Sequence, residues 1–327
     1  MYTVMSREQR RLVELMRSTT ADFTALAHTR DEFVGGMQWL TVKGKEYLSR
    51  YRRHPISGEQ KTTSLGRRSS ETEAIYTSFI EGRAAFERRI NEFKPVMAEQ
   101  TRMAKALRLA RTPTEIADVA CAIGFSDLID NVIVIGEAAV YGYECELASL
   151  LPRELLPNEG MDLLVGGADP SDTIDEVVTV LRSDRVTVRR AGDAELRTGE
   201  GLRIRLFTPS MLDRTVESYA DQDAGGAEAA RWSLDQPPIR SICIDHQGRA
   251  APISILEPRA YCILRFMAIE GEPISLVARE TAMELNSAMA CLVQERWPEP
   301  FAHHHVVGFG PLHHALEGGE FYPSPRL

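Results

Sequence analysis

The sequence predicts an α+β or α/β protein, with a mixed sheet flanked by helices. Three observations support this fold class: capping boxes precede helical patterns in the N-terminal third, short apolar runs alternate with helical patterns after Asp130, and helical patterns return after Pro258. We expect an N-terminal helical and hairpin region over residues 1–111, an α/β domain over 112–256, and C-terminal helices with a His-rich tail over 257–327.

The N-terminal region is predicted to contain a helix followed by a β-hairpin. A capping box at Ser6 begins a helical pattern over residues 7–30. Two runs of alternating polarity, MQWLTV and EYLSRY, flank Lys43–Gly44 and indicate two paired strands. Residues 54–70 are rich in Ser, Thr, Gly and charge, so we expect a loop there.

Long helices are predicted to follow that loop. A second capping box at Ser70 begins a helical pattern that extends to about Arg111, with an interruption expected near Pro95. Thr112 and Pro113 then supply an N-cap and a first-turn proline for the next helix.

The region after Asp130 is predicted to build the main sheet. The expected strands are NVIVIG, MDLLVG, RVTVRR and LRIRLF, followed by a hairpin made of RSICID and APISIL. Helices are expected at EAAVYGYECELASLL and DTIDEVVTVLR, after Pro258, and over about residues 275–297. Residues 210–238 are predicted to be rich in loops.

Composition limits the class of protein. The chain has 327 residues, of which 43% are hydrophobic, and this is enough for a sizeable core. Its five cysteines include no CxxC pair, which argues against a disulfide framework and a thiolate zinc site, so we expect reduced and mostly buried thiols. No apolar run approaches the length of a membrane span and the first residues are charged, so we expect a cytoplasmic protein without a membrane partner.

The net charge of −9 is unevenly distributed along the chain. Residues 43–111 carry 16 Lys and Arg against 8 Glu, which gives this segment a charge of +8 and the rest −17. We expect Lys61, Arg67 and Arg68 to contact nucleic acid, with Arg83 and its neighbours continuing a basic helix. Few aromatic residues lie among these charges, which argues against single-strand stacking. The alternative is a solvated helix face with ion pairs between successive turns.

Several sequence blocks carry a family resemblance. In order they are WLTVKGKEYLSRYR with SLGRRSSETE, then VIGEAAVYGYE, MDLLV, GLRIRLFTP and EPRAYCILRFMA. Over roughly residues 38–298 the chain resembles a bacterial family of stand-alone proteins with the nucleotidyltransferase fold of the DNA polymerase β superfamily. The resemblance therefore implies that the mixed sheet has this fold.

The resemblance also implies an activity, which is transfer of a nucleoside monophosphate from an NTP to a hydroxyl of RNA, tRNA or a protein. In this family Mg²⁺ is held by three carboxylates, two in an Asp-x-Asp pattern on the second strand and one on a later strand. Asp162 matches the second acid and is the expected catalytic and metal-binding residue. Gly160 stands where the first acid is expected and Arg205 where the third is expected, which makes Mg²⁺ binding doubtful.

Other residues near Asp162 have expected roles. Gly136 and Glu137 follow the first strand at a helix start, where backbone amides favour phosphate, so we expect them to contact a nucleotide. Glu159 is the expected second metal ligand, with Asp169 as another substitute acid.

The cationic strand residues allow two interpretations. Arg205 is expected to bind nucleotide phosphates together with Arg203, Arg189 and Arg190. The alternative is that these arginines point into solvent. Two functional hypotheses follow: a Mg²⁺-dependent enzyme with an altered set of acids, and a non-catalytic protein of the same fold that binds nucleotide, nucleic acid or a partner protein.

A histidine-rich run lies near the C terminus. Five of the eight histidines fall between His303 and His314, where clustered imidazoles would suit Zn²⁺ or Ni²⁺. The run lacks a Cys or an acid at ligand spacing and contains Gly and Pro, which favours a polar tail in a loop. The sequence predicts no particular oligomeric state.

Overall fold

A computed structural model describes residues 2–53, 60–158, 160–167, 169–183, 186–220, 224–271, 276–302, 305–306 and 309–317. The strands are β1 (Thr3–Val4), β2 (Gly36–Val42), β3 (Lys45–Arg53), β4 (Gln60–Arg67), β5 (Val132–Val134), β6 (Ser149–Leu150), β7 (Gly160–Val165), β8 (Val188–Gly192), β9 (Glu195–Thr198), β10 (Arg203–Phe207), β11 (Ile239–Ile244) and β12 (Ala250–Ile255). The α-helices are α1 (Arg7–His28), α2 (Arg30–Phe33), α3 (Ser70–Ala106), α4 (Thr114–Gly124), α5 (Val140–Glu146), α6 (Pro170–Ser183), α7 (Pro209–Ala220), α8 (Ala224–Leu234), α9 (Pro258–Gly271), α10 (Leu276–Arg296) and α11 (Gly310–Glu317).

The main sheet has seven strands in the order β11-β12-β5-β7-β10-β9-β8. Strand β5 pairs antiparallel with β7, whereas β7 and β10 are parallel. Parallel and antiparallel strand pairs are therefore both present in one mixed sheet with flanking helices, and the predicted α+β class is confirmed. The register places Asp162 directly beside Arg205.

Alternation along β7 separates the core from the candidate site. Met161, Leu163 and Val165 are 0–1% exposed and pack into the hydrophobic core. Successive side chains of a strand point to opposite faces, so Gly160 and Asp162 lie on the other face of the sheet. The core anchors the strand and leaves the acid partly accessible.

The core joins the sheet to the C-terminal helices. One cluster of buried side chains extends from Ile116 on α4 to Leu316 on α11. The predicted boundary between residues 256 and 257 thus falls within a shared core, and the division into domains stays a prediction.

A buried ion pair connects the segment before α4 to α5. Arg111 Nε donates to Glu144 Oε2 at 2.9 Å, and the Leu151 amide donates to Glu144 Oε1 at 2.7 Å. The side chains of Arg111 and Glu144 are only 8% and 4% exposed. Burial raises the pKa of Glu144 to about 7, and Arg111 opposes that increase. Arg111 also donates to the Leu151 carbonyl, so one pair holds two chain segments together.

The N-terminal region contains a separate three-stranded antiparallel sheet in the order β2-β3-β4. Helix α3 has 37 residues, a length of about 55 Å, and packs along α1 and this sheet. Residues 36–68 contain eight Lys and Arg against two Glu, whereas α3 contains six of each sign. The basic charge is therefore concentrated in the small sheet, and the predicted basic helix carries no net charge.

Two predictions in the N-terminal region are confirmed. Helix α1 begins with the capping box of Ser6 and Gln9. Strands β2 and β3 form the predicted hairpin, with positive φ angles of 48° at Lys43 and 73° at Gly44. A type I′ turn requires such angles at both central residues.

The predicted loop over residues 54–70 is wrong where the structure describes it. Gln60–Arg67 is the edge strand β4, and residues 54–59 lie outside the described residues. The strand is polar because most of its side chains are exposed, and its consecutive threonines favour extended backbone.

The predicted helix boundaries also need correction. Helix α3 continues through Pro95, because its packing against α1 stabilises the helix despite the proline. Its capping box uses Ser69 and Thr72 in place of Ser70. Helix α4 begins at Thr114, so Pro113 occupies the N-cap position predicted for Thr112.

Further corrections concern the C-terminal half. Residues 210–238 were expected to be loop-rich but contain α7 and α8, since the glycines of AGGAEAARWSL stand beside strong helix formers. Strand β9 was absent from the prediction because it has only four residues, of which Leu196 alone is apolar.

Two predictions based on composition can be compared with the structure. The cysteines, all in the described part of the chain, form no disulfide bond, and four of the five are buried, as predicted. Burial raises the thiol pKa of Cys243 and Cys262. None of the described helices has an apolar stretch long enough to span a bilayer.

Candidate functional site

Asp162 and Arg205 form a two-point ion pair at the centre of the candidate site. Arg205 Nε donates to Asp162 Oδ1 and Nη2 donates to Oδ2, both at 2.7 Å. Their side chains are 13% and 28% exposed, respectively. The Arg205 guanidinium also lies 5.5 Å from the ring centre of Phe207. Both carboxylate oxygens of Asp162 are therefore engaged by one cation, in the geometry that gives the strongest arginine–carboxylate pairs.

Gly136 lies directly against this pair. The Ile135 amide donates to the Asp162 carbonyl at 3.0 Å, which brings the end of β5 beside β7. A Cβ atom at position 136 would stand 2.6 Å from Asp162 Oδ2. Because Gly136 has an ordinary φ of −88°, the position needs glycine for close packing and not for its backbone conformation.

We expect Gly136→Ala to lower the free energy of unfolding by about 1–3 kcal/mol, since the added methyl would push on an acid that Arg205 holds in place. Gly160→Ala is the matched control, because a Cβ at that position would have only the Arg203 carbonyl at 3.5 Å. Urea unfolding of both variants gives the comparison. Equal stability of the two variants would contradict the role of Gly136.

A second ion pair lies beside the first. Arg265 of α9 donates to Glu137 Oε1 at 2.7 Å, and its side chain is 9% exposed against 37% for Glu137. Burial raises the pKa of Tyr261, with the Glu137 and Asp162 carboxylates adding to the increase. Our sequence interpretation missed Arg265 and Tyr261. The signal was present in EPRAYCILRFMA, where a tyrosine and an arginine four residues apart share one face of an apolar helix.

Mg²⁺ is the expected cofactor, with Asp162 and Glu159 as its expected ligands. This ion prefers oxygen ligands in octahedral geometry, and both oxygens of Asp162 already accept from Arg205. No group of three His, Cys, Asp or Glu that could hold a metal occurs in the described part of the chain. Asp169 accepts from the Ser171 amide at 2.9 Å at the start of α6. Glu159, the other expected ligand, lies outside the described residues.

Three arginines form a row across the sheet. The register places Arg189, Arg197 and Arg203 side by side on β8, β9 and β10, and Arg203 lies beside Gly160 on β7. Residues directly opposite each other on paired strands point to the same face. The row therefore occupies the face of Asp162 and ends at Gly160. Arg190 points to the other face and pairs with Asp175.

An open groove of about 640 Å³ runs beside this row and is lined by Arg197, Arg203 and Asn158, among others. Two acids, Glu115 and Glu200, also line it. Glu115 accepts hydrogen bonds from the Thr198 hydroxyl at 3.1 Å and from the Leu202 amide at 3.2 Å, which hold the turn between β9 and β10. Its hydrogen bond to Glu200 and the repulsion between the two carboxylates raise the pKa of Glu200.

The residues expected to contact nucleic acid belong to the small N-terminal sheet. Lys61 and Arg67 are exposed on β4. Arg68 bonds to Glu46 and Glu73, both at 2.8 Å, and its guanidinium lies 5.0 Å from the ring centre of Trp39. The structure thus assigns Arg68 a structural contact, and it places none of the three beside Asp162.

The histidine run divides into several environments. His305 is buried, and its ring centre lies 4.3 Å from that of Trp232. His313 and His314 belong to α11, a helix where a loop was predicted, and His303–His304 lie outside the described residues. The metal-binding interpretation gains no support from the described histidines, since they form no metal-binding group.

The mixed sheet, with an acid on β7 facing the glycine that follows β5, defines an α+β protein of the nucleotidyltransferase-like fold. A family model described as Nucleotidyltransferase matches residues 114–306, and the chain belongs to this family. Searches of curated proteins and of solved structures found no match.

Proposed function

We propose that the protein binds the phosphates of an NTP on the arginine-bearing face of the sheet and has lost efficient nucleotidyl transfer. The observation that carries this proposal is the two-point ion pair between Arg205 and Asp162. Metal-assisted phosphoryl chemistry needs carboxylates that are available to a divalent ion. A fixed guanidinium in the same place repels such an ion by several kcal/mol, even at an effective dielectric constant of about 20.

The arginine row supports phosphate binding. A guanidinium donates two parallel hydrogen bonds to phosphate oxygens, a geometry that lysine cannot reproduce. Neighbouring strands are about 4.8 Å apart, so Arg189, Arg197 and Arg203 cover about 10 Å. This length suits a chain of linked phosphates. Arg203 is exposed beside the groove, whereas Arg197 is partly engaged by Glu195 at 3.1 Å.

The alternative is a transferase with an altered set of acids, acting on RNA, tRNA or a protein. Family membership favours it, as does Glu137, which lies near Asp162 and is 37% exposed. This alternative requires Asp162 to leave Arg205 when a nucleotide binds. Guanidinium–carboxylate pairs of this geometry are among the stronger side-chain contacts, which opposes such a rearrangement.

We expect a fluorescent ATP analogue to bind in the presence of EDTA, because the proposed contacts are arginines and not a metal. Arg203→Ala should weaken binding about tenfold through loss of a charge-assisted hydrogen bond. Arg190→Ala is the matched control, since it removes the same charge from the opposite face. Equal affinities of the two variants in an anisotropy titration would rule out the arginine row as the site.

Transfer is measured separately with an NTP labelled at the α-phosphate, Mg²⁺ or Mn²⁺, and total RNA or protein as acceptor. We expect no label in either acceptor above the background of Asp162→Ala. Label transfer that disappears in this variant would overturn the proposed loss of activity and favour the alternative.

A further inference from the structure

The small N-terminal sheet has one open face. Directly opposite residues share a face of a sheet, and the register aligns Leu40 with Tyr47 and Tyr47 with Arg67. The same rule places Tyr51 and Thr62 on this face. We call this surface the open face. Leu40 is 38% exposed, while Arg67 and Thr62 are classed as exposed.

Helix α3 covers the opposite face. Trp39 packs against Tyr76 of α3 with ring centres 5.9 Å apart, and Arg50 lies 5.4 Å from the ring centre of Phe79. Leu48, which pairs with Trp39, is completely buried. The helix therefore packs on the face of Trp39 and Leu48, and the tyrosines point away from it.

The two tyrosines give the open face an aromatic surface. A Cβ atom on Gly36 would stand 2.5 Å from Cζ and 2.3 Å from the hydroxyl oxygen of Tyr51, so this ring lies across the glycine of the neighbouring strand. Ser49 lies between Tyr47 and Tyr51 on the same face and is 4% exposed, as expected for a small side chain between two aromatic ones. Both tyrosines are themselves partly exposed.

Charge complementarity identifies the class of partner. Residues 36–68 carry a net charge of +6, against −15 for the rest of the chain. Lys45 and Arg67 lie on the open face and are exposed. A positive surface on a strongly acidic protein is typical of a site for a polyanion.

We propose that the open face binds single-stranded nucleic acid, with bases stacked on Tyr47 and Tyr51 and phosphates held by Lys45 and Arg67. Exposed aromatic rings on a sheet stack unpaired bases, which a duplex does not offer. Single-strand stacking was not expected from the sequence, because the two tyrosines meet on one face only after β3 forms. Lys61 lies opposite Arg52 on the other face, so the proposal retains only Arg67 of the three predicted contacts.

The test is a fluorescence anisotropy titration of the full chain with a labelled oligouridine and with a duplex of the same length. We expect the single strand to bind more tightly than the duplex. Tyr47→Ala should weaken the single-strand complex about tenfold, and Tyr47→Phe should restore it, because base–aromatic stacking contributes about 1–3 kcal/mol.

Charge is tested with Arg67→Glu and with Arg89→Glu, an exposed residue of α3 that changes the net charge of the chain equally. We expect Arg67→Glu to weaken RNA binding and to reduce its salt dependence between about 50 and about 200 mM salt, with a smaller effect for Arg89→Glu. Circular dichroism checks that each variant is folded.

Several results would overturn the proposal: no saturable binding of the oligouridine, equal affinity for the duplex, or no effect of Tyr47→Ala. Displacement of the labelled oligouridine by a polyglutamate peptide as effectively as by unlabelled oligouridine would also overturn the proposal. The face would then recognise negative charge alone. The proposal does not depend on the Asp162 site, and Arg67→Glu should leave binding of the ATP analogue unchanged.

Discussion

The double variant Gly160→Asp/Arg205→Asp is expected to bind Mn²⁺ at least about 100-fold more tightly than the parent protein, because changes outside the ligands alone alter metal affinity by about 10–100-fold. The substitutions place two further carboxylates beside Asp162 and remove the fixed cation. The register supports this geometry, since Arg205 lies directly beside Asp162 on the parallel strand.

Position 160 can accept the new side chain. A Cβ there would have the Arg203 carbonyl at 3.5 Å, which is an ordinary van der Waals contact. We also expect the metal-free variant to be less stable than the parent, because like charges repel at short range in a partly buried site. Added Mn²⁺ should restore stability, since binding to the folded state stabilises it.

The control is Gly160→Asn/Arg205→Gln, which adds polar side chains without carboxylates. Calorimetric titration with Mn²⁺ and thermal unfolding with and without the ion compare the two double variants. Equal, weak binding by both would show that this part of the sheet cannot hold a metal, and it would contradict the proposal that Arg205 is what prevents metal binding.

Glu144→Gln should lower the free energy of unfolding by about 3 kcal/mol, because breaking a buried ion pair leaves an uncompensated charge. Arg111 would remain buried beside a neutral amide, with its side chain only 8% exposed. The double variant Arg111→Met/Glu144→Leu should be more stable than Glu144→Gln, since it removes both charges.

Urea unfolding of the single and double variants measures this coupling. As a control, Glu14→Gln removes an acid that is 73% exposed and pairs with Arg17 on the surface of α1. The free energy of unfolding of this variant should lie within about 1 kcal/mol of that of the parent protein. If Glu144→Gln lowers the free energy of unfolding no more than Glu14→Gln does, the buried ion pair contributes no more to stability than a surface pair.

Much of the fold was predictable because it depends on local pattern. The buried run of β7 and the turn at Lys43–Gly44 are encoded by neighbouring residues, and both are present as predicted. Strand β4 was missed because its stability depends on pairing with β3, which its polar sequence does not reveal. Tertiary packing likewise determines that α3 continues through Pro95.

The candidate site was predictable only in part. The sequence order indicated that Asp162, Gly136 and Arg205 belong to neighbouring elements. It did not reveal that Arg205 would donate hydrogen bonds to both oxygens of Asp162, because this geometry depends on the register between β7 and β10. Arg265 comes from a helix more than 100 residues away in the chain, and only the fold brings it to Glu137.

The alignment of Asp162 with Arg205 also constrains how such a sheet can evolve. Replacing Arg205 alone by a neutral residue would leave a mostly buried carboxylate without its cation, and introducing an acid at Gly160 alone would place a second negative charge beside the pair. Each single step leads through a less stable protein, since unpaired buried charge is costly. Positions 160 and 205 are therefore linked by epistasis, and a sheet that carries the arginine cannot easily acquire a cluster of acids one substitution at a time.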